Sequence, residues 1–197
     1  INALIIRSIE AQANSLLDLA HRDSNDYQRA VELILGMSGK LVFTGMGKSG
    51  IIARKLAATF SSTGVPSFFV HPGEAYHGDL GMIEVNDVLF ALSNSGETPE
   101  LLNLLKYSRS KQVIGVSHSN DSSLASFATV HLECKVDKEV CPLNLAPTTS
   151  TTAALVMGDA ICAALMELKK FSKDDFAQFH PGGALGRSLL TKAKDVM

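Results

Sequence analysis

The chain carries almost no surplus of charge: 18 Lys and Arg stand against 20 Asp and Glu in 197 residues, a formal net charge of −2. No basic field marks a nucleic-acid or anionic-membrane partner, and neither is expected. Cysteine is scarce as well. Its three copies, Cys134, Cys141 and Cys162, are odd in number and form no C-x-x-C pair. That speaks against a disulfide scaffold or a zinc knuckle and for reduced thiols in the cytoplasm. Long apolar runs are missing too. The longest, Ala153 to Leu168, is interrupted by Gly158, Asp159 and Glu167 and falls short of the ~20 residues of a membrane span. It reads as a helix buried in a protein interior, with Asp159 as a buried structural acid. No Arg-flanked apolar leader precedes Ile1, so no signal peptide is expected.

Against those absences stands a composition of 46% hydrophobic and 19% charged residues, the balance of one globular domain with a substantial core. Ile5, Ile9, Ala13, Leu16 and Ala20 recur at helical spacing and predict an amphipathic N-terminal helix. Asp23, Ser24 and Asn25 offer caps for a second helix from Asp26 to Leu35, stopped by Gly36. Then five apolar runs, 40–44, 66–70, 87–93, 112–117 and 129–134, alternate with helical segments at 49–63, 99–108 and 122–127. Two more helices, 148–170 and 173–179, precede a glycine-rich "HPGGALG" at 180–186. Such alternation implies right-handed crossovers and an α/β fold, a three-layer sandwich around a five-stranded parallel sheet. No internal repeat or low-complexity tract is present.

"GMGKSG" at residues 45–50 has the letters of G-x-G-x-x-G and ends like a P-loop. It lies between a strand and a helix, where glycines permit close backbone approach and helix-start amides favour an anion. A dinucleotide site also needs an acid near the end of the second strand. Here His71, Pro72 and Gly73 come first, and Glu74 is several residues into the loop. A P-loop needs Gly at position 42, which is Val. Each nucleotide reading therefore lacks one of its required parts. A turn that merely packs helix on strand leaves Lys48 and Ser49 without a purpose. The second loop, "SNSGETPE" at 93–100, places Ser93, Ser95 and Thr98 around Gly96, again where a strand hands over to a helix. Two such loops on neighbouring strand–helix units suit a phosphate cradle with no nucleotide-specific part.

"TGMGKSG", "VHPGEAYHGDLG", "SNSGET", "KEVCPLNLAPTTSTT" and "HPGGALG" follow one another in an order that resembles the sugar isomerase domain of D-arabinose 5-phosphate isomerases, from about Lys40 to Leu190. "SNSGET" alone marks only the wider superfamily, which includes sugar-phosphate-sensing regulators; the later motifs narrow it. The resemblance implies a flavodoxin-like strand order and tetrameric assembly. It also implies interconversion of D-ribulose 5-phosphate and D-arabinose 5-phosphate on the way to the lipopolysaccharide sugar Kdo. The organisation expected is N-terminal helices at 1–36, a sugar isomerase domain at 37–192 and a tail at 193–197 in which "KDVM" resembles the start of a regulatory cystathionine-β-synthase-type pair. A non-catalytic sugar-phosphate sensor, or an isomerase of another sugar phosphate, remains the alternative.

Aldose–ketose isomerisation moves a proton between C1 and C2 through an enediol. It needs a base near neutral pH, a cation or donor for the oxyanion and a grip on the phosphate, but no redox cofactor. Ser93, Ser95 and Thr98, with Gly47, Ser49 and Gly96, suit the grip. By resemblance Lys48 matches a catalytic lysine and His77 a substrate-contacting histidine, while His180 reaches the site of a neighbouring subunit. Glu100 and Glu139 match two acidic positions. Glu100 equally serves a helix start. Glu139, if desolvated beside "VCPLNLAP", would have a raised pKa fit for a base, with His77 relaying the proton. Gly64 and Val65 stand where the family binds substrate with Gly-Thr, and Tyr76 replaces a small residue. No cofactor is expected. His71 matches a position where zinc binds and inhibits, although no metal motif is complete. His21, His118 and His131 receive no role.

Overall fold

The computed structural model of the chain describes residues 1–22 and 25–181. The caps at Asp23 and Ser24, the glycines of "HPGGALG" and the tail with its "KDVM" lie outside the described residues. The elements run α1 (Asn2–Ala20), α2 (Asp26–Gly36), β1 (Leu41–Gly45), α3 (Gly47–Ser62), β2 (Ser67–Val70), α4 (Pro72–Ala75), a 3-10 turn (Asp79–Met82) and β3 (Val88–Leu92). They continue α5 (Pro99–Tyr107), β4 (Gln112–Ser117), α6 (Ser123–Phe127), β5 (Val130–Glu133), α7 (Thr149–Leu168) and α8 (Lys173–Phe179).

All five strands pair in parallel, in the order β2-β1-β3-β4-β5. β1 and β3 are buried along their whole length, as central strands covered on both faces must be. Alternate residues therefore feed two cores. Leu41, Phe43, Phe90 and Ile114 join one face with α1, α2, α3 and α7. Val42, Leu89, Ala91 and Val113 join the other with α5 and α6. Phe43 anchors the first core: its ring stacks on Phe90 at 4.9 Å and meets the Phe60 edge at 5.1 Å between centroids. Truncating such a ring to Ala costs about 3–5 kcal/mol.

α7 has the length and composition to cross a membrane, yet Ala153, Met157, Ile161 and Leu165, spaced by four, bury one face in that core. The expected buried helix is present, but Asp159 is not its buried acid. It lies on the open side, where the Lys55 ammonium donates to both carboxylate oxygens at 2.6 and 2.7 Å. The segment after β2, expected as a loop, contains α4 and the 3-10 turn. Pro72 presets the first helical φ, and His71 Nδ1 accepts the Gly73 amide at 3.2 Å. One turn of helix is too short to show a period.

Candidate active site

In an open parallel sheet the ligand crevice lies where neighbouring crossovers leave on opposite faces. Here that point is between β1, whose crossover α3 covers one face, and β3, whose crossover α5 covers the other. The two loops singled out by the sequence, 45–50 and 93–98, meet there.

The first loop separates the jobs of its glycines. Gly47 has φ +55, a left-handed turn that side chains resist. Gly50 serves packing: a Cβ there would stand 2.5 Å from the Gly45 carbonyl oxygen, so only glycine lets α3 lie this close to β1. No side chain caps α3, which leaves its first-turn amides, with Lys48 exposed among them, for an anion. The helix begins two residues before the expected Ser49.

The second loop gathers its hydroxyls. Ser93 Oγ lies 2.8 Å from Thr98 Oγ1 and 3.5 Å from Ser95 Oγ. The Gly96 amide donates to Ser93 Oγ at 3.1 Å, and the Glu97 amide to Ser95 Oγ at 3.2 Å. Ser93 is 4% exposed and forms the floor. Glu100 is exposed in the first turn of α5, where its charge complements the helix start.

Behind both loops is a cleft of about 50 Å³ lined by Ser49, Ser93, Asn94, Cys134, Ser150 and Thr151 among others. Ser150 and Thr151, in the first turn of α7, have no role by motif or spacing; a hydroxyl run opening a long helix was the available signal. Burial pushes the Cys134 thiol up to about 12, with Arg22 opposing weakly, so it stays protonated and inert. A larger groove of about 450 Å³ lies far from this edge, between α1, α2 and α7, with an almost wholly apolar lining. Among the described residues, Tyr27 and Gln28 are its only polar lining residues.

Glu139 corrects an expectation. Burial does push its carboxyl up, but hydrogen bonds to the Ser150 and Thr148 hydroxyls and amides outweigh that, and its pKa falls below the usual carboxylate value. Its Oε2 accepts the Thr148 amide at 2.8 Å, the Thr148 hydroxyl at 2.9 Å and the Ser150 amide at 3.2 Å, while Oε1 accepts the Ser150 hydroxyl. The carboxylate is thus an ionised cap on α7, aimed at amides that the local sequence supplies nine to eleven residues later. Four hydrogen bonds hold it to the start of α7, and it is no raised-pKa base.

The other residues divide by edge. His71 and His77 follow β2 at the same edge as the two loops, His77 with an exposed ring. His71 Nδ1 is committed to the Gly73 amide. Among the described residues no three His, Cys, Asp or Glu side chains converge as a metal ligand set. Gly64 and Val65 precede β2, roughly 20 Å away at the opposite edge by strand rise. Val65 is 2% exposed, and the Gly64 carbonyl accepts from Lys169 Nζ at 2.6 Å. His180 ends α8, its ring stacked 3.9 Å from Phe176 and its Nδ1 2.9 Å from the Phe176 carbonyl. α8 follows the end of α7 remote from the cleft, beside Phe171 and Gly64. Within one subunit Gly64, Val65 and His180 are therefore not brought to the two loops.

Known proteins share this arrangement. The chain is 50% identical over 193 residues to the Pseudomonas aeruginosa protein named arabinose 5-phosphate isomerase KdsD, covering 97% of this chain and 59% of that one. It is 53% identical over 184 residues to the protein of the same name from Escherichia coli K12, covering 92% and 56%. The chain thus spans less than two thirds of these relatives. An E. coli CFT073 protein solved in complex with arabinose 5-phosphate superposes with a TM-score of 0.87 at 44% identity, covering 91% of this chain and 96% of that one. Residues 34–164 match the SIS domain, and the chain belongs to that family.

Proposed function

We propose that this chain is an aldose–ketose isomerase that interconverts D-ribulose 5-phosphate and D-arabinose 5-phosphate through an enediol. The observation that carries the reading is the hydroxyl cluster of Ser93, Ser95 and Thr98 facing the uncapped start of α3 across the switch point. Relatives named for this reaction, and a structural neighbour holding arabinose 5-phosphate, support it.

The phosphate lies against the three hydroxyls, the Gly96 turn and the amides of Gly47 and Ser49. That anchors C5 and leaves C1 and C2 towards Lys48 and His77. Lys48 neutralises the oxygen that becomes an enediolate oxygen. With Glu139 committed to α7, the proton shuttle falls to His77, exposed at the same edge as the two loops. It takes the C1 proton of the ketose and returns a proton to C2, while the hydroxyl proton moves between the two oxygens. Glu139 shapes the pocket by fixing the start of α7, and Glu100 contributes through the α5 dipole. No cofactor enters this balance.

His180, and Gly64 with Val65, act only where another copy brings its loops to their edge, in keeping with a homotetramer of shared sites. The exposed apolar stripe of α1 and its groove supply a surface for such assembly. We place the enzyme in the cytoplasm, supplying Kdo for lipopolysaccharide; its unpaired thiols suit a reducing compartment. Zinc at His71 would hold at most a partial ligand set and act by blocking the imidazole edge.

The test is purified protein with ribulose 5-phosphate in chelator, products resolved by NMR. Arabinose 5-phosphate should form, and added Zn²⁺ should slow its formation. Saturable binding without product would make the protein a sensor; activity lost in chelator and restored by zinc would make the metal a cofactor.

A further inference from the structure

Behind the phosphate loop runs a row of polar side chains that the reaction does not use. His131 Nε2 lies 2.8 Å from Ser117 Oγ, and its Nδ1 2.8 Å from Asn120 Oδ1. Asn120 Nδ2 donates to Glu133 Oε1 at 3.2 Å, and Arg22 holds the other oxygen of that carboxylate at 3.2 Å. The carboxylate fixes which way the amide points, so Nδ1 carries the proton to Asn120 Oδ1, and Nε2 accepts the Ser117 hydroxyl. Burial lowers the pKa of His131, with Glu133 and Asp26 pulling it up, in keeping with a neutral ring.

The row has the order of a nucleophilic triad, but Ser117 is 1% exposed. Its one proton goes to His131 Nε2 at 2.8 Å, and its oxygen accepts from the Ser122 hydroxyl at 2.8 Å. It is a brace. What it braces is Gly96, the φ +70 residue of the phosphate loop. A Cβ there would collide with Ser122 Cβ and stand 2.5 Å from Ser122 Oγ and 3.2 Å from Ser117 Cβ. The Gly96 carbonyl also accepts the Leu124 amide at 3.0 Å, and the Asn94 carbonyl the His118 amide at 2.9 Å. Glu97 takes the Ser123 amide at 2.7 Å and its hydroxyl at 2.6 Å. The loop is moulded onto the turn between β4 and α6, and His131 on β5 locks that turn from behind.

We propose that His131 is a positioning residue for the phosphate loop, acting through Ser117 and Ser122 on the Gly96 turn. The inference rests on the sugar-phosphate reading of that loop. A brace on the phosphate grip affects how tightly phosphate is held and leaves the proton transfer at C1 and C2 alone. It therefore moves KM and not kcat.

The test compares wild type, His131→Ala and His131→Gln, each checked for fold by circular dichroism. Gln places an acceptor near the Nε2 position and should restore the link to Ser117. Affinity for inorganic phosphate is read by 31P NMR titration, and KM and kcat with ribulose 5-phosphate. His131→Ala should weaken phosphate binding and raise KM roughly five- to tenfold, the scale of one buried hydrogen bond, with kcat within about twofold. His131→Gln should recover most of the loss. If His131→Ala does not fold, Ser117→Ala removes the same link with a smaller change of volume and should show the same split. Unchanged phosphate affinity in a folded variant, a fall in kcat at constant KM, or no recovery with Gln would overturn the proposal. If wild type turns over no ribulose 5-phosphate, the isomerase reading fails while the phosphate titration still decides the brace.

Discussion

Lys48 and Glu139 both sit at helix starts, and the same physics gives them opposite parts. At α3 no side chain satisfies the amides, so the helix start stays available to an anion and Lys48 adds a full positive charge beside it. Replacing Lys48 by Met should lower kcat on the order of 10²–10³-fold while the fold persists, the usual loss on removing one electrostatic stabiliser; near wild-type turnover would remove Lys48 from the mechanism. At α7 the start is closed by Glu139 itself. Its folded pKa lies below the ordinary carboxylate value of 4.5. Its contribution to stability is therefore full above that value and is lost as pH falls through the lower folded one. Glu139→Gln should be less stable than wild type in urea at pH 7, and the gap should close towards pH 3. A gap constant with pH would mean the cap is not ionic. Ser93, Ser95 and Thr98 were legible in the sequence because all three fall within six residues of one turn. Glu139 and His131 were not, because a carboxylate's or imidazole's role depends on what the fold brings to it: amides from a later loop, or a serine one strand away.

The strands announce themselves by continuous apolar runs and the long helices by period, and all of those elements are present near their expected places. α4 escapes because one turn made by a proline and a histidine cap has no period. The glycine motif was legible as a turn between strand and helix, but its division of labour was not: Gly50 is there for the contact between α3 and β1. Gly50→Ala should push α3 off the strand, since backbone cannot yield as a side-chain tip can. An overpacking cost of about 1–3 kcal/mol, read by chemical denaturation, should come with weaker phosphate binding. A variant as stable as wild type would show that α3 has slack at this contact.

The whole molecule leaves one subunit's residues on two edges, the paired loops at one and Gly64, Val65 and His180 at the other. α1 exposes an apolar stripe, with Ile5 53% and Ile9 59% exposed, the surface proposed above for assembly. If the proposed homotetramer uses this stripe, Ile5→Asp with Ile9→Asp should give smaller species than wild type by size-exclusion chromatography with light scattering, and activity should fall with size. Two inactive variants, one at Lys48 and one at His180, should regain partial activity when mixed and reassembled; verified mixed oligomers without recovery would confine His180 to its own subunit. Proton transfer through an enediol at the paired loops is read by incubating the protein with ribulose 5-phosphate in deuterated water and following the sugar carbons by NMR. Arabinose 5-phosphate should appear carrying deuterium at C2. Ribulose 5-phosphate that binds saturably yet gains no deuterium at C1 and yields no arabinose 5-phosphate would contradict that transfer.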